Sequence, residues 1–257
     1  MFFSKSQFAA LLLSASSATA KAVLDSRQAG VEDLGWGPIC GLQPTRSEII
    51  STTSTIYPGK MPQGQKGYLF AWIGIQGTSK SGQQEGDLVQ SIVGSYPAGS
   101  SECSGPDADS TWCISSEVYG NDGSGNTIQF VGEKRTAGVN YENGIVFNYT
   151  LVDKSTYMWK QTMTDAVTGE VLATYKKTSG PMTLWNTAIE KQDANGNDPT
   201  GTNEPQYYVN TTIALAEADS SYADGIYGQN GATFTDMTTS DNGKTWFIEK
   251  ITIPAMN

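Results

Sequence analysis

The chain runs to 257 residues, with 16 Lys and Arg against 26 Asp and Glu, a formal net charge of −10 and no histidine. That charge repels phosphate backbones and anionic lipid, which excludes nucleic acid and membrane surfaces as natural partners. The missing histidine excludes a Ser-His-Asp or Cys-His centre and any His-ligated zinc, so chemistry falls to carboxylates, amides, hydroxyls or lysine.

In chain order, the first feature is a basic residue, Lys5, ahead of an apolar stretch from Phe8 to Leu13 that ends in Ala18-Thr19-Ala20. These are the three parts of a secretory signal peptide, and the stretch is too short for a bilayer span of roughly 20 residues. Cleavage after Ala20 is expected, giving a secreted, extracellular protein. Residues 21–35 read as a polar leader or arm, and residues 36–257 as one β-sandwich domain without repeat or linker. Only 16% of residues are charged, which suits an extracellular protein working below neutral pH.

Period-two alternation dominates from residue 45 onward. Leu69, Ala71, Ile73 and Ile75 share one phase, with Tyr68, Phe70 and Trp72 in the other. Ile145, Phe147, Tyr149 and Leu151 repeat the pattern, as do Thr211, Ile213 and Leu215 after Tyr207 and Val209, and Phe247, Glu249, Ile251 and Ile253. Asn121-Asp-Gly-Ser-Gly, Glu142-Asn-Gly, Asp165-Ala-Val-Thr-Gly, Asn195-Gly-Asn and Asp241-Asn-Gly supply turn residues between such runs, and no amphipathic helix exceeds two turns. The predicted fold is all-β, an antiparallel two-sheet sandwich of the jelly-roll or concanavalin A-like kind.

The strand from Tyr68 has no solvated phase. Its rings either line a groove for sugar or extended peptide, joined by Tyr157 and Trp159, or belong to a second core under loops. Downstream, Gln90 shares its phase with Leu88 and Ile92 on a strand apolar on both sides. Cys103 and Cys113 bracket a polar loop and are expected to pair, leaving Cys40 over. A hairpin bridged there brings Glu117, on the strand from Trp112 to Tyr119, beside Gln90. Held among Trp72, Tyr119 and Trp112, that carboxyl is expected to titrate high. The alternative is a structural Gln–Glu hydrogen bond. Asn148-Tyr-Thr and Asn210-Thr-Thr are glycosylation sequons. Asp193, Asn195, Asn197 and Glu204 fall at calcium-loop spacing, but Asp198 stands where that loop needs glycine, and an Asn-Gly turn explains the segment more simply. No metal and no cofactor are expected.

The order of these motifs resembles the eqolisins, or glutamic peptidases, secreted acid proteases with a two-sheet sandwich. Trp36-Gly37-Pro38-Ile39 is similar to their early Trp-Gly strand, and Ala71-Trp72-Ile73-Gly74-Ile75-Gln76-Gly77 to their Ala-Trp-Val-Gly-Ile-Asp-Gly strand. Gln90 then matches their catalytic glutamine, Ser116-Glu117-Val118-Tyr119 their aromatic-flanked Glu strand, and Ala166-Val167-Thr168-Gly169 a later hairpin. The resemblance implies that Glu204 activates a water, or Glu117 in its absence, while Gln90 polarises the scissile carbonyl. The family's catalytic glutamate follows a Thr-Asn-Ala segment and opens a strand; its counterpart here is Thr202-Asn203-Glu204-Pro205, one residue short and followed by proline, or else Gln206. The expected partner is an extracellular polypeptide or polysaccharide, engaged by a monomer. The rival expectation is a lectin-like binder or glycan-cleaving enzyme on the same sandwich.

Overall fold

The computed structural model describes residues 34–79, 84–103, 108, 110–135, 139–202 and 204–256. The expected signal peptide and most of the leader lie outside them. The described residues form fifteen strands: β1 (Leu34–Gly41), β2 (Ile49–Tyr57), β3 (Tyr68–Thr78), β4 (Gln84–Ser95), β5 (Cys113–Asn121), β6 (Thr127–Arg135), β7 (Ile145–Asp153), β8 (Met158–Asp165), β9 (Val171–Thr178), β10 (Leu184–Gln192), β11 (Gln206–Leu215), β12 (Tyr227–Gln229), β13 (Thr233–Phe234), β14 (Met237–Thr238) and β15 (Thr245–Ile253). The only helices among these residues are two 3-10 turns, Tyr141–Asn143 and Tyr222–Gly225.

The strands build two antiparallel sheets. One has seven strands in the order β12-β1-β10-β3-β4-β5-β6, and the other eight in the order β13-β15-β11-β2-β7-β8-β9, with β14 also on β15. This is the two-sheet sandwich that the alternation predicts. The turn residues act where positive φ is required: Asn121 to Gly125 joins β5 to β6, and Asp165 to Gly169 joins β8 to β9. In the second of these, the Asp165 carboxylate accepts the N–H groups of Val167 and Thr168.

Between the sheets lies the main core, where the aliphatic phase of β3 meets Val89, Val93, Ile114 and Val118 from one sheet and Phe147, Tyr149, Trp159 and Ile213 from the other. Two strands depart from simple alternation. Tyr208 faces inward along with Thr211, Ile213 and Leu215, because Asn210 takes a φ of 53° and forms a bulge that reverses the phase. In β15 Trp246 and Ile248 are buried while Phe247 stays 39% exposed, and the phase reverses before Ile251. Adjacent strands slip together, so the ladder keeps its register.

The seven-stranded sheet carries a second core on its outer side. Tyr68, Phe70, Trp72, Ile92, Tyr96, Ala188 and the Cys103–Cys113 disulfide pack there, with Trp36 and Tyr227 against them. Gly94 is required beneath the rings, since a Cβ would sit 2.7 Å from Tyr96 and 3.1 Å from Phe70. Cys40 is a free thiol sealed in the main core, where burial pushes it up to about 12.

Candidate functional site

At the middle of the seven-stranded sheet, four residues from four strands share one ladder row: Asn186, Gly74, Gln90 and Glu117. Their neighbours Ile73, Val89 and Val118 face the main core, so alternation turns this row outward, to the side of Trp72 and Ile92. Gln90 and Glu117 are directly opposed, which puts their Cβ atoms about 5 Å apart. Glycine at position 74 lets the neighbouring strand lie close, since a Cβ there would meet Leu88 at 2.8 Å and Gln90 at 3.4 Å.

Glu117 is 1% exposed and Gln90 7%. The Glu117 carboxylate accepts the Ser115 hydroxyl at 2.5 Å on one oxygen and the Gln129 carboxamide on the other. A carboxylate offers about four lone-pair directions. These two donors, one on each oxygen, orient the group.

The rest of the outer face is aromatic and polar together. Trp36 packs edge-on against Trp72, with ring centroids 6.2 Å apart. The Nε1–H groups of both indoles, and the Gln192 side-chain carbonyl, are buried without a partner among the described residues. Each such group costs about 1–3 kcal/mol unless something pairs with it. Glu190 accepts the Gln192 amide at 2.7 Å. The Tyr119 phenol is pushed up to about 12, first by burial and then by the negative charge of Glu190. The face thus carries two carboxylates, Glu117 and Glu190.

Several expected site residues lie elsewhere. Glu204 precedes β11 in the eight-stranded sheet and accepts the Lys60 backbone N–H at 3.1 Å, so it does not join the row. Trp159 points into the main core at 1% exposure and donates to Gly180 O. Its strand looks like β3 in sequence, but its ring phase faces inward. Tyr157 sits in the β7–β8 turn at a φ of 52° and donates to Glu48. Trp112 is in the main core, bonded to Gly59 O. Tyr68 and Phe70 are on the outer face but are packed under Tyr96 and the disulfide instead of lining an open trough. Trp72 borders the row, two residues before Gly74 in the same phase and opposite Ile92, and Tyr119 continues the phase of Glu117.

Asn195 and Gly196, both at positive φ, form a tight turn closed by paired bonds between Ala194 and Asn197. The calcium spacing is that turn. Of the two sequon asparagines, Asn210 is exposed on its bulge, and Asn148 is half-buried with its amide on Thr53. Asn186, Glu190, Ser115 and Gln129 were not picked out from sequence. The one signal available was a polar residue in each outward phase of an otherwise apolar strand.

No family model matches this chain, and no curated protein does. Solved structures do show similarity. A Scytalido-glutamic peptidase with a peptide-based transition state analog is 14% identical, covering 84% of this chain and 99% of that one at a TM-score of 0.45. The kappa-carrageenase of Pseudoalteromonas carrageenovora, in complex with an oligotetrasaccharide of kappa-carrageenan, is 10% identical over 85% of this chain and 68% of its own, at 0.39. The VIP36 exoplasmic/lumenal domain in its Ca2+/Man3GlcNAc-bound form is 13% identical over 75% and 79%, at 0.40. These likenesses are of sandwich architecture and transfer no residue role.

Proposed function

We propose that the outer face of the seven-stranded sheet is an acid-acting hydrolytic site for extended polypeptide, with Gln90 and Glu117 as its catalytic pair. The observation that carries this reading is the ladder register, which opposes the Gln90 amide to the Glu117 carboxylate at the centre of an aromatic face. In the reaction, Glu117 takes a proton from a water as the water oxygen attacks the scissile carbonyl carbon. The Gln90 amide donates to the carbonyl oxygen as it gains negative charge, which is where a fixed donor is worth most. Protonated Glu117 then returns its proton to the leaving nitrogen, and the C–N bond breaks. Ser115 and Gln129 hold the carboxylate in place throughout. Export through the signal-like residues 1–20 belongs to the same reading, and the Cys103–Cys113 disulfide fits an oxidising compartment.

The test is digestion of an unstructured protein at about pH 3–4, the range in which carboxyls change protonation. Wild type is expected to cleave, with Gln90→Ala slower by roughly 10²–10³-fold, the usual effect of removing one oxyanion donor. Identical traces from the two proteins would sink the proposal.

A second reading rests on Glu190. Two carboxylates on one aromatic face are what a glycan-cleaving site first needs, and its chemistry requires them about 5–10 Å apart. Release of reducing ends from an acidic or neutral polysaccharide, lost in Glu190→Gln while peptide cleavage is absent in every variant, would replace the peptidase reading with this one.

A further inference from the structure

Behind the Gln90–Glu117 row the main core changes character. The inward phase of β4 reads Val89, Ser91, Val93, and that of β5 reads Ile114, Ser116, Val118. Ser91 and Ser116 are opposed in the ladder and both are 0% exposed. The hydroxyls therefore fall one residue from the candidate pair on each strand, with aliphatic side chains on either side. Facing them from β8 is Gln161, 1% exposed, whose Nε2 donates to the backbone carbonyl of Glu117 at 2.8 Å. Its Oε1 accepts the Ser91 hydroxyl at 3.4 Å. Two tyrosines of the same sheet also reach across the core: Tyr149 donates to Ile73 O at 2.7 Å and Tyr208 to Trp72 O at 3.4 Å.

This arrangement is expensive. Ser116 Oγ is buried without a partner among the described residues, and replacing buried polar partners together by apolar groups of similar shape is often neutral or stabilising. These polar groups meet the seven-stranded sheet at and beside the row that carries the site. The carbonyl of Glu117 and its side chain leave the same short stretch of backbone, so a bond that fixes the carbonyl also fixes how the strand is rotated about its own axis. That rotation sets where the carboxylate points.

We propose that Gln161 is a positioning residue, a strut from the eight-stranded sheet that holds Glu117 in the geometry its reaction needs. This rests on the hydrolytic reading above. Gln161 touches no reacting atom; it acts through the Glu117 backbone, and Ser91 fixes its orientation.

Three measurements on the full folded chain test it, using Gln161→Met, which keeps the volume and removes the donor. The thermal midpoint is expected to stay level or rise. The Glu117 carboxyl titration, followed by carbon NMR against a Glu117→Gln reference, is expected to move by at least about half a unit as the surrounding donors shift. Hydrolysis is expected to fall about ten- to a hundredfold in kcat with KM little changed, the effect of misplacing a group by around 1 Å. Gln161→Glu, protonated in this core at the acid assay pH because burial disfavours its charged form, is expected to restore both readouts. An unchanged Glu117 titration in Gln161→Met overturns the proposal whatever the activity. A moved titration with an inactive wild type keeps the strut and sinks the hydrolytic reading instead. If Gln161→Met does not fold, Ser91→Ala, which frees one end of the same amide, is read by the same titration.

Discussion

The two sheets use the same ladder to present opposite outer faces. On the eight-stranded sheet one row runs Thr212, Thr53, Asn148, Thr162, Thr174, with Lys160 and Lys176 in the row beside it, and all of these side chains are partly or fully in solvent. Threonine suits such a face because its branched Cβ fits the pleat while its hydroxyl stays wet. On the seven-stranded sheet the equivalent face holds Phe70, Trp72, Ile92 and Ala188, none more than 7% exposed, together with buried Gln90, Asn186 and Glu117. A face that needs only solubility has no use for buried amides and carboxylates, each of which must find a partner or lower stability. The contrast supports the proposed site on the seven-stranded side.

The most direct way to break that contrast is to truncate one side chain on each face. Phe70 is 6.3 Å from the Tyr68 ring and 5.4 Å from Tyr96, so Phe70→Ala is expected to cost about 3–5 kcal/mol, the range for buried Phe. Thr162→Ala is expected to cost under about 1 kcal/mol, the spread of strand propensity. Urea unfolding of both variants checks it, and equal losses would mean that the outer aromatics are a solvated surface and not a core.

How far this contrast was legible in the sequence depends on the residue. That β3 has two apolar phases could be read directly, and so could the opposition of Gln90 and Glu117, because a short loop bracketed by cysteines fixes one hairpin. Which face a phase takes could not be read. Period two says that Tyr157, Trp159 and Gln161 share a side, as do Phe70 and Trp72, but only packing turns Trp159 into the main core and Phe70 out of it. Asn186 joins the row from β10, 96 positions beyond Gln90, and a register between strands so distant is set by the finished sheet. Glu204 was drawn in by a motif spacing, and the Asn210 bulge was hidden because asparagine at positive φ within a strand looks like any polar residue there.

Acid sharpens the comparison by acting on the two sheets through different groups. In the β8–β9 turn of the eight-stranded sheet, the backbone N–H of Thr168 and then the Asn143 amide hold the Asp165 carboxyl below its usual value. A carboxyl lowered by folding contributes stability that is present above its unfolded value of about 3.9 and is lost as pH falls through the lower folded value. Exchange of the Val167 and Thr168 amides is therefore expected to accelerate below about pH 4, while the outer cluster of the seven-stranded sheet, held by rings and a disulfide, stays protected. Asp165→Asn is expected to flatten the pH dependence of the thermal midpoint over that range. An unchanged slope would mean that the turn is not an acid-sensitive clamp.

The smallest effect bears on the seven-stranded face itself. Tyr119 stands at about 12 mainly because it is buried, with the Glu190 charge adding to the shift. Both causes disfavour the phenolate, burial by removing water and Glu190 by repulsion. Glu190→Gln removes only the second, so the phenol is expected to titrate lower than in wild type, by a fraction of a unit, and still above its ordinary value near 10. Carbon NMR of the Tyr119 ring between pH 9 and about 12 reads this without any substrate. A titration that does not move would mean that Glu190 and Tyr119 do not share one face electrostatically, and the two-carboxylate reading of that face would lose its footing.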